Sequence, residues 1–239
     1  MLLLDARKNK VLILSAFLAL TALMVAIEAR VALRAAENGA SKAAHATSMQ
    51  AGLTEPEGDP YPLATCPVSG LPIATVSPVS VNYLGREIRF CCPNCPARFK
   101  ENPGPYIEKI NAAIIDQQTP FYPLDTCVVS GEKLNKFGRP VDYVYQNRLV
   151  RLSNTAYIGA FERDPEKYLM DIEVSVIEQQ LKNYPLQTCV VSGLPLPDKP
   201  FEFVFAMRLV RLYSADYVTT FLKDPQKYVD KIDEALRTW

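Results

Sequence analysis

"YPLATCPVSG" (61–70), "YPLDTCVVSG" (122–131) and "YPLQTCVVSG" (184–193) are one decapeptide written three times. Their spacing of about sixty residues is too long for a solenoid repeat and suits a very small domain. Three tandem units are therefore expected, at 61–119, 120–182 and 183–239.

Each copy continues with the same grammar. An extended stretch comes first, "VSVNYLG" (79–85), "VDYVYQN" (141–147) and "FEFVFAM" (201–207). An Arg-x-apolar-Arg-apolar stretch follows, "REIRF" (86–90) and then "RLVRL" (148–152 and 208–212). The period-two alternation, broken at Gly85 and Asn147 in the first two copies, predicts a β-hairpin with one buried face. Next comes a helical segment ending in Phe-x-x-x-Pro-x-x-Tyr: Phe99/Pro103/Tyr106, Phe161/Pro165/Tyr168 and Phe221/Pro225/Tyr228. Asn102, Asp164 and Asp224 precede those prolines, and an Asn or Asp cap before a first-turn proline starts a helix well. A second helix is thus expected to close each unit, with the phenylalanine and tyrosine packing it on the hairpin. The fold class is α+β, three small hairpin-plus-helices modules behind an N-terminal transmembrane helix.

That helix is read from "VLILSAFLALTALMVAI" (11–27), uncharged, apolar on every face and close to bilayer-spanning length. It follows Arg7, Lys8 and Lys10, a pattern shared by cleaved signal peptides and uncleaved anchors. No convincing small-x-small cleavage site follows, which favours an anchor over residues 11–29. The basic residues place 1–10 in the cytoplasm and the modules outside, in the periplasm. Residues 30–60 read as a helix tail running into a flexible tether.

Composition narrows the function. The 26 basic and 26 acidic residues balance, so no global field favours nucleic acid. The one histidine, His45, lies in the tether, so three-histidine metal sites are excluded. No phosphate-cradling glycine loop and no nucleophile–base pair is present, so no catalytic residue and no small-molecule substrate is assigned. The chain reads as a non-enzyme.

Three of the six cysteines crowd into "CCPNC" (91–95). Cys91 and Cys95 stand four apart where a strand turns into a helix, so one helical turn brings them to one side. Cys66 lies in the loop that the fold returns beside them. A helix N-terminus also lowers a thiol pKa. Three such thiolates suit Cu(I), or Zn(II) with a fourth ligand, for which Cys92 is the candidate. Two other readings stand beside this one. One is a bridge from Cys66 to Cys91, Cys92 or Cys95, which an oxidising compartment favours, and the other is thiol–disulfide chemistry at "CPNC" (92–95). By alignment, Cys91 becomes Ser153 and Tyr213, and Cys95 becomes Tyr157 and Tyr217. The later units are therefore expected to hold no ion, with rings filling the ligand pocket. Cys127 and Cys189 read as small buried hydrophobes, or less simply as a bridge between units.

A loop cysteine, an aromatic strand ending Phe-Cys, Cys-x-x-x-Cys and Phe-x-x-x-Pro-x-x-Tyr together resemble the YHS and TRASH metal-binding domains. The resemblance covers 61–239, and only the first copy carries cysteine at the motif positions Cys66, Cys91 and Cys95, with Ser69 where a second loop cysteine is frequent. It implies a small α+β fold with a thiolate site for copper, zinc or another heavy metal. Two functions follow as expectations. One is a membrane-anchored protein of metal binding, trafficking or sensing. The other is a non-catalytic accessory subunit of a larger membrane complex, its modules serving as protein-interaction surfaces.

Overall fold

The computed structural model describes residues 59–73 and 79–238. The expected anchor and nearly all of the tether lie outside the described residues. Among the described residues no helix is long and apolar enough to cross a membrane.

Three antiparallel two-stranded sheets, each followed by helices, make up the described chain. The first unit has β1 (Val79–Tyr83), β2 (Arg86–Phe90), α1 (Cys95–Glu101) and α2 (Pro103–Gln118). The second has β3 (Val141–Tyr145), β4 (Arg148–Leu152), α3 (Ile158–Glu162) and α4 (Pro165–Leu181). The third repeats it with β5 (Phe201–Phe205), β6 (Arg208–Leu212), α5 (Val218–Lys223) and α6 (Pro225–Arg237). The registers coincide: Val79 faces Phe90, Val141 faces Leu152 and Phe201 faces Leu212.

The alternation places Ile88 and Phe90 inward, fully buried, under Phe99 of α1 and Ile110 and Ile114 of α2. Burying each such side chain contributes about 1.5–3 kcal/mol, enough for a handful of them to organise so small a unit. Phe99, Phe161 and Phe221 are the pivots, each buried and each 6.1, 5.9 and 5.6 Å (ring centroids) from its tyrosine, Tyr106, Tyr168 and Tyr228. Of the expected helix caps, only Asp224 makes the side-chain bond, to Lys227 N. Asn102 and Asp164 do not, and there the proline at the first helical position carries the start.

The hairpin tips join neighbouring modules. Asn147, at the β3–β4 turn, is buried against the first module, where its Nδ2 donates to the carbonyls of Asp59, Pro60 and Glu87. Its Oδ1 accepts from Arg86 Nε, and its backbone N–H donates to Asp59 Oδ2. Met207, one module further on, is buried in the second module's core. In both junctions a glutamine at the end of the preceding helix brackets the tip. Gln118 donates to Asn147 O and accepts from Leu149 N, and Gln180 donates to Met207 O and accepts from Leu209 N. Each amide thus offers the donor–acceptor pair that a neighbouring strand would supply.

The third contact runs from the first module to the third. Arg151 and Arg211 pair across their hairpins with Asp142 and Glu202. Ser80 stands opposite Arg89, so no acid claims Arg89 across the strand. Arg89 instead pairs with Glu87 and donates 2.7 Å to Leu222 O, at the C-terminal end of α5.

Candidate metal centre

The repeated decapeptide builds a tight knuckle. Cys66 N donates to Leu71 O and Gly70 N to Cys66 O, and Gly70 turns the chain at φ 74°. A left-handed backbone here suits glycine, because a Cβ would be strained. The same bonds recur at Cys127/Gly131 and Cys189/Gly193. The knuckle aims hydrogen-bond donors at the sulfur. Burial acts to raise the Cys66 pKa, but the Ser69 hydroxyl and the backbone N–H groups of Cys91, Ser69 and Val68 outweigh it and bring it down to about 6.

Opposite the knuckle, β2 ends at Phe90, and Cys91 and Cys95 follow with α1 beginning at Cys95. The sulfurs of Cys66, Cys91 and Cys95 lie within 4.8 Å of one another. Cys66 and Cys95 are buried and Cys91 is half-buried, with Ser69 Oγ 3.2 Å from Cys91 Sγ. The Cys91–Cys95 edge is 3.9 Å. Thiolates about 2.3 Å from a shared ion in a trigonal set stand about 4 Å apart, so the Cys91–Cys95 edge fits two ligands on one ion, with Cys66 within 4.8 Å of both. Cys92 lies beside this trio, its sulfur 3.3 Å from that of Cys95. All six cysteines are free, so the structure holds none of the bridges weighed from the sequence.

The helix start does not act on Cys95 as expected. Burial first, then the neighbouring sulfurs of Cys92, Cys66 and Cys91, push its thiol well up. The donors that favour thiolate are gathered at Cys66 in the loop. Charge on the first sulfur disfavours charge on its neighbour, a conflict that a bound cation removes.

The later modules keep the knuckle and lose the partners. Burial opposes ionisation of Cys127, yet the Ser130 hydroxyl and the N–H groups of Ser153, Ser130 and Val129 bring its pKa below the ordinary thiol value. Cys189 behaves likewise, with Ser192 N 3.4 Å from its sulfur. These thiols are buried, as expected, but hydrogen-bonded rather than merely apolar. The TCxVSG repeat carried that signal. The pocket is not simply filled by rings either. Buried Ser153 replaces Cys91, its Oγ 3.5 Å from Ser130 Oγ, and Tyr213 is 45 % exposed. Tyr157 and Tyr217, the counterparts of Cys95, pack half-buried on their cores.

Comparison with protein-family models, curated proteins and solved structures returns no match.

Proposed function

We propose that the first module holds one soft metal ion at Cys66, Cys91 and Cys95, and that the protein acts in metal binding, trafficking or sensing. The observation that carries this reading is the trio of converging sulfurs, with an edge of 3.9 Å where a shared ion needs about 4 Å. Cu(I) suits three thiolates as they stand, whereas Zn(II) takes a fourth ligand to complete its tetrahedron. The likeness to YHS and TRASH domains agrees with this reading. Modules two and three brace the metal-bearing one, through Asn147 on one side and the α5 carbonyls on the other. The accessory-subunit reading rests on the membrane span expected at 11–29 and on the two modules without a sulfur trio.

The test is elemental analysis of the full chain purified under reducing conditions. About one equivalent of copper or zinc is expected, lost in Cys91→Ser/Cys95→Ser and kept in Cys127→Ser. A reduced chain that takes up neither ion would overturn the metal reading.

A further inference from the structure

Of the sulfur–sulfur edges that meet at Cys95, those to Cys91 and Cys92 differ in kind. The edge to Cys91 is 3.9 Å, the separation of two ligands on one ion. The edge to Cys92 is 3.3 Å, too short for that and close to the approach from which two thiols join. Cys92 and Cys95 sit at the ends of "CPNC", where Cys95 N donates to Cys92 O and folds the four residues into a turn. Cys92 is half-buried and Cys95 is 4 % exposed. A reagent from solvent therefore meets Cys92 first, and the buried sulfur is the one that closes on it.

We infer that Cys92 is the redox partner of Cys95, so that disulfide formation and metal binding compete for one sulfur. The inference rests on the metal reading above only for its consequence, since the bridge itself involves no ion. The oxidant is a low-molecular-weight disulfide such as glutathione disulfide. Cys92 sulfur attacks it, forming a mixed disulfide and releasing one small thiol. Cys95 sulfur then attacks the Cys92 sulfur, closing the 92–95 bond and releasing the second small thiol. Two protein thiols are oxidised, one disulfide is reduced, and the two protons leave on the released thiols. The closed bridge withdraws one of the three ligands and leaves Cys66 and Cys91. An ion already on Cys95 blocks the second step, so the loaded site stops at the mixed disulfide on Cys92.

The test uses the full chain, reduced and stripped of metal, equilibrated against mixtures of reduced and oxidised glutathione. Alkylation and mass spectrometry then count thiols and locate the link, and anaerobic Cu(I) is added after glutathione is removed. The expected result is one internal link, Cys92–Cys95, with loss of the Cu(I) equivalent and its recovery on reduction. Cys91→Ser should still form the link. Cys92→Ser should form none at the same glutathione ratio and should keep its Cu(I) equivalent throughout. A link made through Cys66 or Cys91, or a Cys92→Ser chain that loses copper as readily as the parent, would overturn the inference. Failure of the reduced parent to bind Cu(I) sinks the metal reading instead, and the mapped link still decides the pairing.

Discussion

In the first module Ser69 Oγ faces Cys91 Sγ at 3.2 Å, and in the second Ser130 Oγ faces Ser153 Oγ at 3.5 Å. The knuckles behind them close with the same backbone bonds, Cys66 N to Leu71 O at 2.8 Å and Cys127 N to Glu132 O at 2.7 Å. Both loop thiols are drawn toward thiolate by a serine hydroxyl and backbone N–H groups acting against burial. A loop that keeps its shape and its hold on sulfur with no sulfur partners owes the shape to its own hydrogen bonds, and the hold to its serine, its N–H groups and the backbone N–H at position 91 or 153. The knuckle is scaffold, and the ligand set is a separate layer of two side chains laid over it.

That separation makes the strongest way to break the comparison. Replacing Ser153 and Tyr157 together by cysteine restores, around Cys127, the residue types found at 91 and 95. The double variant should bind a second equivalent of Cu(I), and Ser153→Cys alone should not. Titration against a chromogenic Cu(I) chelator counts the equivalents. If the double variant stays at one, the fault lies in the backbone that carries residue 157. There the chain makes a 3-10 turn (Thr155–Tyr157) before α3, whereas Cys95 opens α1 directly.

The two junctions form a second pair. Asn147 enters the first module as a polar plug, and Met207 enters the second as an apolar one. Asn147→Ala would leave the carbonyls of Asp59, Pro60 and Glu87 and the Nε of buried Arg86 short of partners. An unsatisfied buried group costs about 1–3 kcal/mol, and water can reach some of these, so a loss of about 3 kcal/mol is expected. Met207→Ala forfeits core contact and leaves a void, a loss of about 2 kcal/mol at the low end for such a truncation. Chemical denaturation of both variants checks the order. The reverse order would mean that the first junction is wetter than its hydrogen bonds imply.

The repeated unit was legible because its signals are local. Alternation over 79–90 marks the hairpin, and Pro103, Pro165 and Pro225 mark the helix starts. The cysteine trio was legible too, since spacing within "CCPNC" and one repeated loop limit where three sulfurs can meet. What joins the modules was not. Gln118 and Gln180 look like polar helix ends, and only the hairpin arriving from the next module turns them into strand mimics. Arg89, Arg151 and Arg211 read alike along the chain. Which of them reaches across modules depends on the residue opposite, Ser80 rather than Asp142 or Glu202, and that is a fact of register. Cys92 stands between the two cases: the "CPNC" spacing already offered Cys95 as its partner, while its adjacency to Cys91 suggested a fourth ligand instead.

The smallest contrast lies at the tips themselves. The first hairpin turns through Leu84 and Gly85, at φ 52° and 76°, and the third through Ala206 and Met207, at 48° and 61°. Glycine at 85 also makes room, since a Cβ there would stand 2.7 Å from Gln146 Nε2. The third tip has no glycine, and Met207 cannot become one without emptying its place in the second module's core. Ala206 is free of that duty. A non-glycine residue in the left-handed region costs about 1 kcal/mol, which Ala206→Gly removes. Glycine also frees the unfolded chain, returning about 0.5 kcal/mol of the gain, and the lost methyl packed partly on the third core. A net stabilisation of a few tenths of a kcal/mol is therefore expected, read as a rise in denaturation midpoint with unchanged slope. A variant less stable than the parent would show that the methyl contact at 206 outweighs the strain. The glycine-free third tip would then be held by its packing on the neighbouring module rather than merely tolerated by it.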